Sequence, residues 1–134
     1  MNKFSDISID RLMTVHPDLI TLFFEVIKVR DCSVVSGLRT TEEQQALYGK
    51  GRWLPGEIVT FRDGIERRSN HQTGNAVDVI PYPEKWDIEA MKVFGPLVLE
   101  IADWLKSEHR IDSDIAWGGQ WEWKDYPHYE RVII

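Results

Sequence analysis

Cysteine is nearly absent: Cys32 is the only one in 134 residues, which excludes an intrachain disulfide and a thiolate metal cluster. It precedes Val34 and Val35 in a run expected to be a buried strand, so it is read as a packing residue rather than a nucleophile. No uninterrupted apolar run approaches the ~20 residues that cross a bilayer. The start, Met1-Asn2-Lys3-Phe4-Ser5-Asp6, leads into charged residues rather than the apolar segment of an export signal. The chain is therefore expected to be made in the cytoplasm without a signal peptide, and to have no stable membrane association. Positive charge is in deficit, with 16 Lys+Arg against 22 Asp+Glu and a net charge of −6. That balance argues against a cationic surface for nucleic acid. Local positives do gather mid-chain, at Lys50, Arg52, Arg62, Arg67 and Arg68, where a solvated loop surface explains them as well as a binding role. Repeats, low-complexity tracts and linkers are absent too, so residues 1–134 are expected to form a single domain.

What is present is an ordinary core-forming composition, 43% hydrophobic and 28% charged. Leu19, Leu22, Phe23, Val26 and Ile27 recur at helical spacing, and Pro17 suits a first turn, which predicts a helix over 17–29. Asp31 to Ser36 predicts a short buried strand closed by Gly37. A second helix is expected over 41–49, capped by Thr40 or Thr41 with Glu43 or Gln44 three residues on. The stretch 51–70 has loop character, with turn signals at Pro55-Gly56 and Asp63-Gly64 and one hairpin strand expected at Ile58–Phe61. Ala76–Ile80 has strand composition and stops at Pro81 and Pro83. Ile88, Met91, Phe94, Leu97 or Val98, Ile101 and Leu105 trace one face of a third helix, in which Gly95-Pro96 predicts a kink or a break. Strands are expected at Ile115–Gly119 and His128–Ile133. The expected class is α+β: a small antiparallel sheet flanked by about three helices.

Two of the four histidines stand in unusual company. Residues 69–78 read Ser-Asn-His-Gln-Thr-Gly-Asn-Ala-Val-Asp, and residues 125–128 read Asp-Tyr-Pro-His. A turn at Gly74, which has no Cβ to hinder it, could bring His71 back beside Asp78. A carboxylate inside the strand Ala-Val-Asp-Val-Ile needs a partner, because an unpaired buried charge is costly. A metal ion would supply it, although Asp78 could equally cap a turn or pair with an arginine. With His128 added, two imidazoles and one carboxylate leave a fourth position open for water, as catalytic zinc sites require. Zinc-held water ionises near neutrality, and Asp125 would then be free to act as general base. His16 and His109 lack such a setting, and His109 at a charged helix end is expected to be solvated.

The pattern Ser69-x-His71-x-x-Gly74-x-Ala76-x-Asp78, followed by Asp125-x-x-His128, resembles the LAS-type zinc peptidases, the D-Ala-D-Ala carboxypeptidase and dipeptidase group. Within that group it is most similar to the phage L-alanyl-D-glutamate endopeptidase endolysins. The resemblance takes in Ser36-Gly37-Leu38-Arg39-Thr40, Gln44-Gln45-Ala46-Leu47-Tyr48, Gly51-Arg52 and Trp117-Gly118-Gly119, and it covers roughly residues 33–130. It implies Zn2+ as cofactor, with His71, Asp78 and His128 as ligands. It also implies Asp125 as the catalytic carboxylate, where many cell-wall members carry Glu and the phage branch tends to carry Asp. Arg39 matches an active-site arginine whose guanidinium suits a substrate carboxylate or the oxyanion of a tetrahedral intermediate; a structural salt bridge is its other reading. Ser69 would either support the site by a hydrogen bond or line the cleft. Trp117 and Tyr126, with Trp121 and Trp123, would form a substrate wall or pack in the core.

The implied activity is zinc-assisted hydrolysis of the L-alanyl-D-glutamate bond of the peptidoglycan stem peptide, lysing a bacterial host. The implied protein is a monomeric phage endolysin that reaches the wall after holin-type release and has no separate cell-wall-binding domain. A D,D-carboxypeptidase or dipeptidase acting on D-Ala-D-Ala termini is the alternative within the same chemistry. A metal-stabilised binding module is the alternative outside it, and loss of Asp125 would be its expected mark.

Overall fold

The computed structural model describes residues 1–65 and 69–132. Arg67 and Arg68 of the basic stretch, and Ile133 at the expected end of the last strand, lie outside the described residues. The fold is α+β, with four helices and a four-stranded antiparallel sheet. Helix α2 (Pro17–Val29) begins on Pro17, with the His16 ring accepting from the Asp18 amide, and buries Leu19, Leu22, Phe23, Val26 and Ile27. Helix α3 (Thr41–Gly49) is opened by a complete Thr40/Glu43 capping box. Both occupy the ranges expected from the sequence. Helix α1 (Asp6–Leu12), capped by Ser5, is additional. At seven residues it is too short to show a helical period, and it is held by packing beside strand β1 (Cys32–Ser36).

Helix α4 runs unbroken over Ile88–Ser107, so the expected kink or break at Gly95-Pro96 does not divide it. Pro96 lies on the exposed side, where the carbonyl it leaves unpaired can face water. Gly95 faces inward, and a Cβ there would sit 2.2 Å from the Trp117 ring. The expected strand at Ile58–Phe61 is not formed; this stretch is loop. Side chains bond to it and to the residue after it instead: Arg52 Nη2 donates to Thr60 O at 3.3 Å, and Gln44 donates to Thr60 Oγ1 at 3.2 Å and to Arg62 O at 2.6 Å. Strand β3 stops at Trp117 (Ile115–Trp117), and Gly118–Gln120 form a 3₁₀ turn.

The sheet order is β1-β2-β4-β3, with β2 at Ala76–Pro81 and β4 at His128–Arg131. Alternation along these strands separates two faces. Val34, Val77, Val79, Tyr129 and Trp117 point into the core against α2 and α4, and the Tyr129 ring meets Phe23 edge-on at 5.3 Å. Each such buried side chain contributes about 1.5–3 kcal/mol. Cys32 is buried beside them, and burial pushes its thiol up to about 12, which removes it from nucleophilic chemistry. The opposite face carries Asp78, His128 and Glu130. Among the described residues no helix is long and apolar enough to cross a membrane.

Candidate metal centre

The site is assembled from one turn and two adjacent strands. Ser69 caps the 3₁₀ turn Asn70–Thr73, accepting from the His71 amide, with Gln72 reaching back to the Ser69 amide at 2.8 Å. Gly74 ends the turn at φ 75°, in the left-handed region that favours glycine. The chain therefore doubles back, and His71 lies over β2, the geometry anticipated from Gly74. In the register of the sheet Asp78 is directly opposite His128. That pairing puts a carboxylate and an imidazole on one face, away from the apolar core.

Three ligand atoms converge. His71 Nε2 lies 3.2 Å from His128 Nδ1, and each lies 3.3 Å from Asp78 Oδ1. The outer ring nitrogens are both occupied: His71 Nδ1 meets the Gly37 carbonyl at 3.0 Å and His128 Nε2 meets Glu130 Oε1 at 2.7 Å. With the ring protons on those outer nitrogens, three lone pairs face one another, and Asp78 Oδ1 is buried without a hydrogen-bond partner. A cation resolves this. A triangle with 3.2–3.3 Å edges is one face of a tetrahedron with centre-to-corner distances of about 2.0 Å, the length of zinc bonds to nitrogen and carboxylate oxygen. The residues therefore fit a tetrahedral ion with one position open to the cleft.

Surrounding charge also favours a cation. Burial works against charge on His128, but the neighbouring carboxylates of Asp78 and Glu130 prevail and raise it to about 9. Burial opposes ionisation of Asp78 as well, yet His71 and His128 hold it well below the usual carboxylate range. Carboxylate and carbonyl partners on the far side of each ring are the usual support of a metal-binding histidine, fixing its tautomer and orientation. Glu130 is itself held at 2.8 Å by Asn70 Nδ2. The Gly37 loop is held from below by α1, where a Cβ on Gly37 would fall 2.2 Å from Arg11 O. Arg39 donates its amide to His71 O at 2.8 Å, a second tie between that loop and the turn.

Asp125 stands beside the triangle, with Oδ2 3.8 Å from His128 Nδ1. Its amide donates to Gly118 O at 3.0 Å, and a Cβ on Gly118 would come within 2.3 Å of Asp125 O, so the loop needs glycine there. Burial, reinforced by the nearby Asp78, raises the Asp125 carboxyl, while His128, His71 and Arg39 oppose the rise. A carboxylate made more basic in this way suits proton transfer. Arg39 is mostly buried, and burial lowers its guanidinium against the opposing pull of Asp78 and Asp125. Its Nη1 donates to Gln44 Oε1 at 2.6 Å and its Nη2 lies 3.9 Å from Asp78 Oδ2.

The triangle opens on a cleft of about 1030 Å³ lined by Arg39, Ser69, Asp125 and Tyr126 among others, with Trp121 and Trp123 on its wall. Ser69 thus both caps the turn and lines the cleft. The Trp121 ring lies tilted against His128 with centroids 5.1 Å apart, and Trp123 meets Phe61 edge-on at 5.3 Å. Trp117 differs from the wall position considered for it. It is 6% exposed, does not line the cleft, and lies between Gly95 and Gly119 in the core, donating from Nε1 to Tyr126 O at 2.7 Å. His16 and His109 lie outside the site, the first as a helix cap and the second exposed after α4.

Four contributors were given no role in the site from the sequence. The signal for Glu130 was present, since it lies two residues after His128 on a strand and so shares its face. Gln44 sits in a helix with no apolar stripe and is fully buried, a combination that only packing reveals. Asn70 and the Gly37 carbonyl carry no distinguishing sequence mark.

A model of the phage L-alanyl-D-glutamate peptidase family matches residues 1–133. The peptidoglycan L-alanyl-D-glutamate endopeptidase CwlK of Bacillus subtilis is 34% identical over 108 residues, 76% of this chain. The chain spans 61% of that relative's length. The crystal structure of the L-Ala D-Glu endopeptidase ChiX of Serratia marcescens is similar with a TM-score of 0.72 and 25% identity, over 98% of this chain and 91% of that one.

Proposed function

Since the chain belongs to the phage L-alanyl-D-glutamate peptidase family, we propose that it is a zinc-dependent peptidoglycan peptidase that hydrolyses the L-alanyl-D-glutamate bond of the stem peptide. In this reading it acts as a phage endolysin in host lysis. The observation that carries the zinc reading is the ligand triangle of His71 Nε2, Asp78 Oδ1 and His128 Nδ1, with its two histidines braced from behind. Bound zinc supplies Lewis acidity, making water nucleophilic near neutral pH and polarising the scissile carbonyl.

The remaining steps belong to the chain's own residues. Asp125, beside the open position, takes the proton from the attacking water and delivers it to the departing amine of the glutamyl residue. Arg39, held by Gln44, offers its remaining N–H groups to oxyanion charge as it develops on the carbonyl. Trp121 and Tyr126 form a wall that positions the peptide and thins the water around it.

Mass spectrometry of fragments released from purified peptidoglycan tests the proposal, with and without a chelator. The expected products carry a new amino-terminal glutamate, and the chelator should prevent their release. Release of D-alanine instead would favour the D,D-carboxypeptidase alternative, and chelator-resistant cleavage would remove the metal from the reaction.

A further inference from the structure

The chain carries a net charge of −6, yet the rim of the cleft is cationic. Its acidic lining residues, Asp78, Asp125 and Glu130, all cluster at the centre. Arg39 is engaged by Gln44 and Asp78. Lys50, Arg62 and Lys124 also line the cleft, and their exposed side chains have no ion-pair or hydrogen-bond partner among the described residues. Three unspent cations thus border a site whose interior is anionic.

A glutamyl residue linked to its neighbour through one carboxyl group keeps a second. If ionised, that second carboxylate would meet repulsion from the central acids unless charge at the rim offsets it. Trp86, Phe61 and Trp123, each about half exposed, line the same cleft and offer an apolar surface beside those cations. A carboxamide of the same shape offers the rim a neutral acceptor only and forgoes the charge-assisted part of the interaction. We propose that Lys50, Arg62 and Lys124 form a carboxylate-reading rim, which makes hydrolysis selective for stem peptides whose glutamyl residue keeps its second carboxyl group free over the corresponding carboxamides. This rests on the L-alanyl-D-glutamate reading above and adds the residues that set its substrate preference.

The test measures kcat/KM of the zinc-loaded protein on two synthetic L-alanyl-D-glutamyl peptides, one with the free carboxylate and one with the carboxamide. Partly exposed ion pairs are each worth about a 2–5-fold effect, so the three together predict a preference of about tenfold for the carboxylate. The preference should sit mainly in KM and shrink at high salt. Lys50→Met, Arg62→Met and Lys124→Met should each reduce the preference ratio, and the triple variant should bring it near one. A purely structural change would slow both peptides together and leave the ratio intact. A wild-type ratio near one, or a ratio unchanged in the triple variant, overturns the rim. Cleavage of neither peptide by the wild type overturns the L-alanyl-D-glutamate reading itself, and the rim with it.

Discussion

Glu130 is the sharpest point at which to perturb the proposed centre, because it lies outside the ligand triangle and reaches it through His128. Its Oε1 lies 2.7 Å from His128 Nε2, and its other oxygen is held by Asn70 Nδ2 at 2.8 Å. The carboxylate fixes the ring so that Nδ1 faces the metal position, and its charge strengthens the ring as a donor. Loss of such a partner typically weakens metal binding about 10–100-fold, or about 1.4–2.7 kcal/mol. The side chain is 21% exposed, so water can replace part of what is lost. Glu130→Gln keeps an acceptor but loses the charge, and it obliges Asn70 to turn its amide. It should fall near tenfold. Glu130→Ala leaves the Nε2–H facing only water and should approach 100-fold. Competition with a chelator of known zinc affinity at fixed pH measures this directly, and hydrolysis under excess zinc separates weakened binding from damaged chemistry. A Glu130→Ala protein that binds zinc within about twofold of wild type would refute the reasoning, since His128 would then be oriented by something else.

Asp125→Asn should slow hydrolysis by about 10²–10⁴-fold with zinc stoichiometry unchanged, whereas His71→Ala should lose metal and activity together; elemental analysis beside a rate assay distinguishes them, and zinc loss from Asp125→Asn would make Asp125 a ligand. Gly95→Ala should destabilise the fold by about 1–3 kcal/mol despite the better helix propensity of alanine, because its Cβ would meet the Trp117 ring at 2.2 Å. A raised melting temperature in that variant would contradict the packing described here. Asp18 provides a pH test away from the centre. Burial raises its carboxyl, but bonds from Ser113 and the Asp112 amide prevail and hold it below its ordinary value. Its stabilisation is therefore present above the unfolded carboxylate range, at about pH 4, and is lost as pH falls through the lower folded value. Urea denaturation should show Asp18→Asn weaker by roughly 1 kcal/mol at pH 7, with the gap closing in acid. A gap that widened on acidification would reverse the assignment.

Much of the molecule was legible in the chain because its signals are local. The apolar period of 17–29 and the Thr40/Glu43 box define α2 and α3 through short-range sterics and hydrogen bonding. Gly74 marks the reversal that returns His71 over Asp78, and a carboxylate inside Ala76–Ile80 announces a partner. What the sequence by itself determined was therefore the residues proposed as ligands, most of the elements and the α+β class.

Tertiary structure decided the rest, where the deciding neighbour is far along the chain. Helix α1 is too short to declare itself, yet it supports the Gly37 loop that braces His71. Ile58–Phe61 has strand composition, but no strand among the described residues pairs with it; Arg52 bonds the Thr60 carbonyl, Gln44 the Thr60 hydroxyl, and the stretch remains loop. Gly95-Pro96 does not divide α4, and the glycine is explained by a ring from Trp117 that no local pattern foretells. That contact also takes Trp117 off the substrate wall and into the core. The three proposed ligands were visible as chemistry, but the 3.2–3.3 Å triangle that fits an ion depends on cross-strand register and on the braces at Gly37 and Glu130. Register and bracing are products of the whole packed sheet, and so they appear only once the chain has folded.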